Sequence, residues 1–406
     1  MAVGSGKLPP LNAVAGVQLG VASAGIKTVG RHDTVVISIC EGAAVAGVFT
    51  QNAFCAAPVH VAKAHLKAVM PRFLLVNTGN ANAGTGDQGM KDAQSCCQQL
   101  AELTGVSTQQ VLPFSTGVIG EHLPVEKITA ALPAAIDNLR DDAWQEAASG
   151  IMTTDTRPKA SSLQCKIDGK LITVTGITKG AGMIKPNMAT MLGYVATDAA
   201  VSEPLLAMMI QTAVNQSFNR ITVDGDTSTN DACMLIATNK AGNTLIDSVE
   251  HPDYAALQDA ISEVFIDLAQ QLVRDGEGAT KFVTVSVAGG ASEAECLAVA
   301  YTVAESPLVK TALFASDPNW GRLLAAIGRA GVENLQVEGV SVCLNGVLIA
   351  EKGCRAGSYT EEQGQAVMNE ESIVIEIDLG RGSVSTTVWT TDLSHEYVTI
   401  NADYRT

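Results

Sequence analysis

Short β-branched runs recur along the whole chain, separated by single, well-spaced stretches of helical periodicity, and this mixture narrows the possible folds more than any other feature. The runs TVVISIC from Thr34 and AVAGVFT from Ala44 predict neighbouring strands, and FLLVN from Phe73 predicts a third. Apolar residues at helical spacing predict helices over 90–103, 125–138, 203–215 and, most strongly, 254–273. Asp168 with Gly169 between LQCKI and KLITVTGI, and Asn345 with Gly346 between VSVCL and VLIA, are two-residue turns that tolerate positive φ and predict hairpins. SIVIEIDL and SVSTTVWTT supply late strands. The elements follow no regular strand-helix-strand rhythm, so the pattern implies a layered α/β or α+β sandwich in preference to a barrel or a doubly wound sheet.

Size and charge remove several function classes. With 406 residues, 47% of them hydrophobic, the chain can bury a large core, with a prior of about two to three domain-sized units. No linker rich in Pro, Gly and Ser marks a boundary. A formal charge of −16 leaves no basic stripe for a phosphate backbone, which argues against nucleic acid. Nine scattered cysteines without a CxxC pair suggest neither a disulfide framework nor a zinc site, and fit reduced thiols in a cytosolic protein. Leu11 to Gly25 imitates a secretion signal, with Ala22, Ser23 and Ala24 as the mock cleavage site. Lys7 is the only charge before it, Pro9 and Pro10 intervene, and Asn12, Gln18 and several glycines dilute it, so the signal reading is set aside. No stretch approaches the roughly 18 to 20 apolar residues of a membrane span.

The chemistry concentrates in KGAGMIKPNMATML, residues 179–192, where Gly180, Gly182 and Pro186 impose an irregular backbone before the strand-like MLGYVAT. A Gly-rich turn feeding a strand is ordinarily structural. Here Ala189 is small enough to let the Thr190 hydroxyl approach the Ala189 carbonyl, as self-cleavage requires. An acyl shift to oxygen followed by ester hydrolysis would give Thr190 a free α-amino group of pKa about 8, an internal base for its own hydroxyl. The β-branched side chain is stiff about χ1 and would hold that hydroxyl on its target. Amidases and aminopeptidases can use the same device, handing the acyl group to water, so the acceptor distinguishes them.

Other constellations carry less. Gly84, Gly86 and Gly89 spell GxGxxG between a strand and a helix, the setting of a dinucleotide fingerprint and of an oxidoreductase. Asp87 would put negative charge at the pyrophosphate, however, and Glu102 falls inside the helix where a ribose-binding acid belongs at a second strand end. DGDTSTND from Asp224 imitates a calcium loop, but Thr229 occupies the position that needs glycine. The six histidines are scattered and none lies at ligand spacing near another motif, so no metal is expected.

The segment around ATML resembles the processing site of the ornithine acetyltransferase (glutamate N-acetyltransferase) family of arginine biosynthesis. The resemblance spans the chain: VFTQNAFCAAPV from Val48, NTGNANAGTGDQG from Asn77, PFSTGVIG from Pro113, MTTDT from Met152, FNRITVDGDTSTND from Phe218, RDGEGATKF from Arg274, DPNWGR from Asp317 and the tail YVTINADYRT. One departure is visible: Thr390 and Thr391 stand where many members have Gly and Cys, which puts the local packing in question. The resemblance implies a self-processing threonine-nucleophile fold, cut between Ala189 and Thr190 into fragments 1–189 and 190–406, two copies of each assembling into a heterotetramer. It implies acetyl transfer from N2-acetyl-L-ornithine to L-glutamate through an acetyl-threonine enzyme, giving L-ornithine and N-acetyl-L-glutamate without a cofactor. Some members also accept acetyl-CoA, and no residue pattern here decides that.

The same resemblance assigns residues that are unremarked otherwise. Thr116 and Gly117 of PFSTGVIG, alone a turn with a hydroxyl donor and a flexible glycine, become the oxyanion hole. Lys179, alone a solvated charge, becomes a substrate contact beside Thr190. Glu277, alone part of a turn ending the helix before it, becomes another and would suit an ammonium group. Asn401 and Thr406, alone part of a fraying terminus, join them, as does Thr153, although Thr154 adjoins it and either could serve.

Overall fold

The computed structural model describes residues 2–185 and 191–403, and the chain divides into two compact units. The larger comprises Lys7–Asn219 with Asp226–Leu272, and the smaller comprises Met1–Gly6, Arg220–Gly225 and Val273–Thr406.

Among the described residues, nine strands of the larger unit form two sheets. They are β1 (Val17–Ala22), β2 (Thr34–Ile39), β3 (Ala44–Phe49), β4 (Phe73–Asn80), β5 (Val111–Val118), β6 (Lys159–Ile167), β7 (Lys170–Lys179), β8 (Leu192–Thr197) and β9 (Ala232–Ala237). One sheet runs β1-β2-β4-β5 and the other β3-β9-β8-β7-β6. Val35, Ile37, Leu74 and Val76 of the first share one buried cluster with Tyr194, Ala196, Met234 and Ile236 of the second, so the sheets pack face to face. The intervening residues Val36 and Leu75 point the other way, into a cluster with Cys97 and Leu100 of α2 (Gly86–Thr104) and Leu132 of α3 (Val125–Asp137). The earlier helix α1 (Ala57–Ala68) packs alongside α2 and β5, and α4 (Trp144–Gly150) buries Trp144 between the sheets.

On the second sheet's outer side lie α5 (Glu203–Gln216), packed on β3, and α6 (Tyr254–Arg274). A Cβ on Gly176 of β7 would stand 3.0 Å from Leu268 of α6, and the Gln258 side chain of α6 donates to the Met209 carbonyl of α5 at 3.3 Å. The unit is therefore a helix-sheet-sheet-helix sandwich; the element pattern predicts a layered sandwich but not the number or order of its layers. Strands covered on both faces read as continuous apolar runs, which is why TVVISI and FLLVN do not alternate.

The two DG and NG hairpins form as expected, with φ of 51° and 70° at Asp168 and Gly169 and 44° and 79° at Asn345 and Gly346. One expectation fails. The runs at Thr34 and Ala44 are consecutive strands but not neighbours, because β1 and β4 occupy both edges of β2 and β3 pairs instead with β9 in the facing sheet. The stretch that imitates a secretion signal supplies β1, whose Val17, Leu19 and Val21 lie in the inter-sheet core.

The smaller unit has one sheet, ordered β13-β12-β11-β14-β10-β15, made of β10 (Phe282–Gly290), β11 (Ser341–Leu344), β12 (Val347–Glu351), β13 (Cys354–Arg355), β14 (Ser372–Asp378) and β15 (Val384–Thr391). Its helices are α7 (Glu293–Ala304), α8 (Pro307–Phe314), α9 (Trp320–Gly328), α10 (Glu361–Met368) and α11 (His395–Ala402). Ile373, Ile375 and Ile377 of β14 are buried with Val299 and Val303 of α7 and Ile327 of α9, while the alternate residues of β14 are exposed. This sheet is covered on one face, and its strand alternates accordingly.

The departure at Thr390 and Thr391 has a role in packing. Buried Lys310 of α8 donates to Thr390 Oγ1 at 3.1 Å and to the Thr391 carbonyl, and Thr390 Oγ1 donates to the Ala304 carbonyl at 3.1 Å.

Candidate active site

Among the described residues of the larger unit, Thr116, Thr153 and Lys179 come together at the ends of β5 and β7. Lys179, last residue of β7, donates from Nζ to Thr116 Oγ1 at 2.9 Å and to Thr153 Oγ1 at 3.0 Å. A hydroxyl that accepts an ammonium N–H keeps its own O–H to give, so Lys179 leaves Thr116 as a donor for a further acceptor. Thr116 is 8% exposed and held in a parallel ladder opposite Thr78 of β4. Ser115 beside it is tied down twice: its hydroxyl donates to Asn77 Oδ1 at 2.6 Å and its carbonyl accepts from Asn230 Nδ2 at 2.9 Å.

Gly117 has φ of +136°, and a Cβ there would stand 2.3 Å from the Gly79 carbonyl carbon. The glycine is required by this close approach to β4, where the β4–β5 register shifts. The flexible glycine of the sequence pattern is thus one whose missing side chain faces protein backbone.

Beneath Lys179 lies a buried ion pair. Asp155 and Lys159, with side chains 0% and 1% exposed, meet at 2.6 Å. Burial pushes the Asp155 carboxyl up, but Lys159 and Lys179 outweigh it and hold the group below the usual carboxylate range. Asp231 shows the opposite balance. It is buried where β9 begins, and burial raises its carboxyl well above the usual range against the weaker pull of the Ser228 hydroxyl, Lys179 and the Met191 N–H.

In the smaller unit, Glu277 is 7% exposed in the turn after α6, where Gly276 N donates to the Val273 carbonyl at 3.1 Å. Its Oε2 accepts from Asn401 Nδ2 at 2.7 Å. Helix α11, which carries Asn401, rests directly on this turn: Ser394 Oγ donates to the Gly278 carbonyl at 2.7 Å, and a Cβ on Gly278, whose φ is +68°, would stand 2.6 Å from the Tyr397 nitrogen. Asp392 fixes the turn from the other side, its carboxylate accepting from the Thr280 and Lys281 backbones at 2.8 and 2.9 Å. The tail is thus an anchored helix through Ala402 where the sequence suggests fraying.

The ArgJ family pattern matches residues 18–406. The chain belongs to the ArgJ family. Over all 406 residues, and the full length of each relative, it is 63% identical to the arginine biosynthesis bifunctional protein ArgJ of Pseudomonas fluorescens strain Pf0-1 and 62% identical to that of Pseudomonas syringae pv. tomato strain DC3000. The crystal structure of the arginine biosynthesis bifunctional protein from Bacillus halodurans is 38% identical, with a TM-score of 0.50 over 52% of this chain and 97% of that one.

For this ArgJ chain, the structure brings Thr116, Thr153 and Lys179 into one group and Glu277 and Asn401 into another. Of the two adjacent threonines, Thr153 is the one whose hydroxyl Lys179 reaches. Ala189, Thr190 and Thr406 lie outside the described residues. Among the described residues there is no cluster of three metal-ligating side chains. The Gly84 loop is filled by protein: Asn82 Nδ2 donates to the Gly89 carbonyl at 2.9 Å and Thr85 Oγ1 donates to Asn82 Oδ1 at 2.8 Å. The DGDTSTND run supplies fastenings, with Thr227 Oγ1 on the Lys185 carbonyl at 3.0 Å and Asn230 on Ser115. Sequence reasoning missed Asp155, Lys159 and Asn230. The one available signal was that the acid of the MTTDT motif stands four residues before a lysine.

Proposed function

We propose that this chain transfers acetyl from N2-acetyl-L-ornithine to L-glutamate, with Thr190 as nucleophile after cleavage of the Ala189–Thr190 bond. Family membership over residues 18–406 supports the reaction class, and the observation that carries the reading is the Lys179–Thr116 bond at 2.9 Å. It prepares a hydroxyl donor for the negative charge that acyl transfer builds on the carbonyl oxygen, a contribution commonly of about 3 kcal/mol per donor. Thr116 and Gly117 then serve as the oxyanion hole, and Thr153, Lys179, Glu277, Asn401 and Thr406 bind substrate.

Self-cleavage is compatible with the fold. In the sheet ordered β3-β9-β8-β7-β6, fragment 1–189 would supply β3, β7 and β6 and fragment 190–406 would supply β9 and β8. The two central strands of the later fragment are thus flanked on both sides by strands of the earlier one, and a cut chain stays joined by the β7–β8 and β3–β9 ladders. Two such pairs form the heterotetramer of the proposal, in the cytoplasm; no helix among the described residues is long and apolar enough to cross a membrane.

A hydroxyl nucleophile with its own amine as base favours a covalent intermediate that divides one difficult exchange into two easier ones. Donor and acceptor share an α-amino and α-carboxylate pattern, so one site can serve each in turn without a cofactor. Initial rates against both substrates should give parallel double-reciprocal lines, and fragment 190–406 should gain one acetyl group from donor alone. Intersecting lines with no acetylated fragment would remove Thr190 from the mechanism. The relatives' bifunctional name adds an arm with acetyl-CoA as donor, which should acetylate the same fragment if this chain uses it.

A further inference from the structure

Asp155 accepts from three donors, two from its own segment and one from the end of the neighbouring strand. Oδ1 takes Lys159 Nζ of β6 at 2.6 Å and the Gly180 backbone N–H, immediately after β7, at 2.7 Å; Oδ2 takes the Thr153 backbone N–H at 2.9 Å. The two backbone donors flank the bond from Lys179 Nζ to Thr153 Oγ1. The contacts therefore close a ring: carboxylate to Thr153, Thr153 hydroxyl to Lys179, Lys179 along the chain to Gly180, Gly180 back to the carboxylate. Gly180 has φ of +151° and a Cβ on it would stand 2.8 Å from Ile184 Cδ1, so its N–H is held on Asp155 by a backbone that other residues adopt poorly.

We propose that Asp155 is a positioning residue for acyl transfer, whose buried carboxylate sets the separation of Lys179 and Thr153 and, through Lys179, the direction of the Thr116 hydroxyl. The inference rests on the acetyl-transfer reading above. Lys159 and Lys179 together hold the carboxylate of the ring in its charged form. A purely structural account, in which Asp155 exists to satisfy buried Lys159, predicts different behaviour when both members of the pair are removed together.

The test compares Asp155→Asn, the double variant Asp155→Asn with Lys159→Met, and Asp155→Glu, each assayed with the wild type for unfolding midpoint, extent of self-cleavage by mass, and kcat and KM separately. Asp155→Asn removes the carboxylate that buried Lys159 meets at 2.6 Å and should lower both midpoint and rate. In the double variant both members of the ion pair are removed together, and the midpoint should return to near the wild-type value. An Asn carbonyl cannot replace a carboxylate facing donors on both oxygens, so kcat should stay down by about 10- to 100-fold, the scale of a small misplacement of catalytic groups. Asp155→Glu keeps the charge and moves it by one methylene. It should hold the fold while lowering kcat by about 10-fold, with KM changed less. Recovery of wild-type kcat in the double variant, or wild-type kinetics in Asp155→Glu, overturns the proposal. Absence of acetyl transfer in the wild type would instead defeat the underlying reading, and self-cleavage would still report on the ring.

Discussion

The strand-end group of the larger unit and the tail group of the smaller unit hold their polar residues in opposite ways. Thr116 is 8% exposed in the β4–β5 ladder, and the Asp155–Lys159 pair below Lys179 has side chains 0% and 1% exposed. Glu277 is buried too, but its partner Asn401 is an exposed residue on the short helix α11. Dipoles fixed before the reaction stabilise charge that develops in the transition state, because nothing has to reorganise when it appears. A contact made through an exposed side chain can adapt to its ligand, and so suits binding. On the proposed acetyl-transfer reading, the difference predicts that the strand-end group governs rate and the tail group governs affinity.

The buried lysines make the same contrast. Lys159 has a carboxylate at 2.6 Å. At hydrogen-bond distance Lys310 has the Thr390 and Thr391 oxygens, and burial pushes its pKa down to about 8 against the pull of Asp392, Asp224 and Glu305.

The largest effect should come from Thr190→Ala, which leaves a single uncleaved chain and lowers turnover by about 10⁴-fold or more. Denaturing mass spectrometry reads the first outcome and initial rates the second; a wild type that stays whole at full activity would exclude the free-amine mechanism. Next is Thr116→Ala, expected to lower kcat by about 100-fold with KM within a few-fold, since the lost donor acts in the transition state. Unchanged kcat would take the strand-end group out of the chemistry. Glu277→Gln should do the reverse, raising KM by about 10-fold with kcat nearly preserved. A loss confined to kcat there would collapse the distinction between the two groups.

The smallest effect concerns stability. A lysine whose folded pKa lies below its unfolded value destabilises the fold while both states carry the proton. That penalty is relieved as pH rises from about 8 toward the unfolded value near 10.5. The midpoint of the wild type relative to Lys310→Met should therefore rise between pH 7 and 10, with a limit of about 3 kcal/mol. A flat difference would mean that Lys310 keeps its charge across this range.

Much of the architecture could be read locally. Asp-Gly and Asn-Gly commit their own φ angles, so both hairpins are found where the dipeptides stand. Helix α6 spans 21 residues of amphipathic repeat and declares itself, whereas α7 is apolar nearly all round and offers no period to find. The site was legible unevenly. Thr116, Thr153 and Lys179 were reached through resemblance, but no pattern in D-x-x-x-K says that the acid and the lysine are buried against each other.

What the sequence by itself determined is what acts within a few residues: turn chemistry and strand and helix character. Tertiary structure alone decided that β3 leaves β2 for the facing sheet, that Gly117 is a glycine because Gly79 passes beneath it, and that Asp155 reaches Gly180. Each of these depends on which edges are already occupied and which charges have lost their water. Those conditions arise only when segments far apart in the chain, such as Thr116 and Lys179, are packed together.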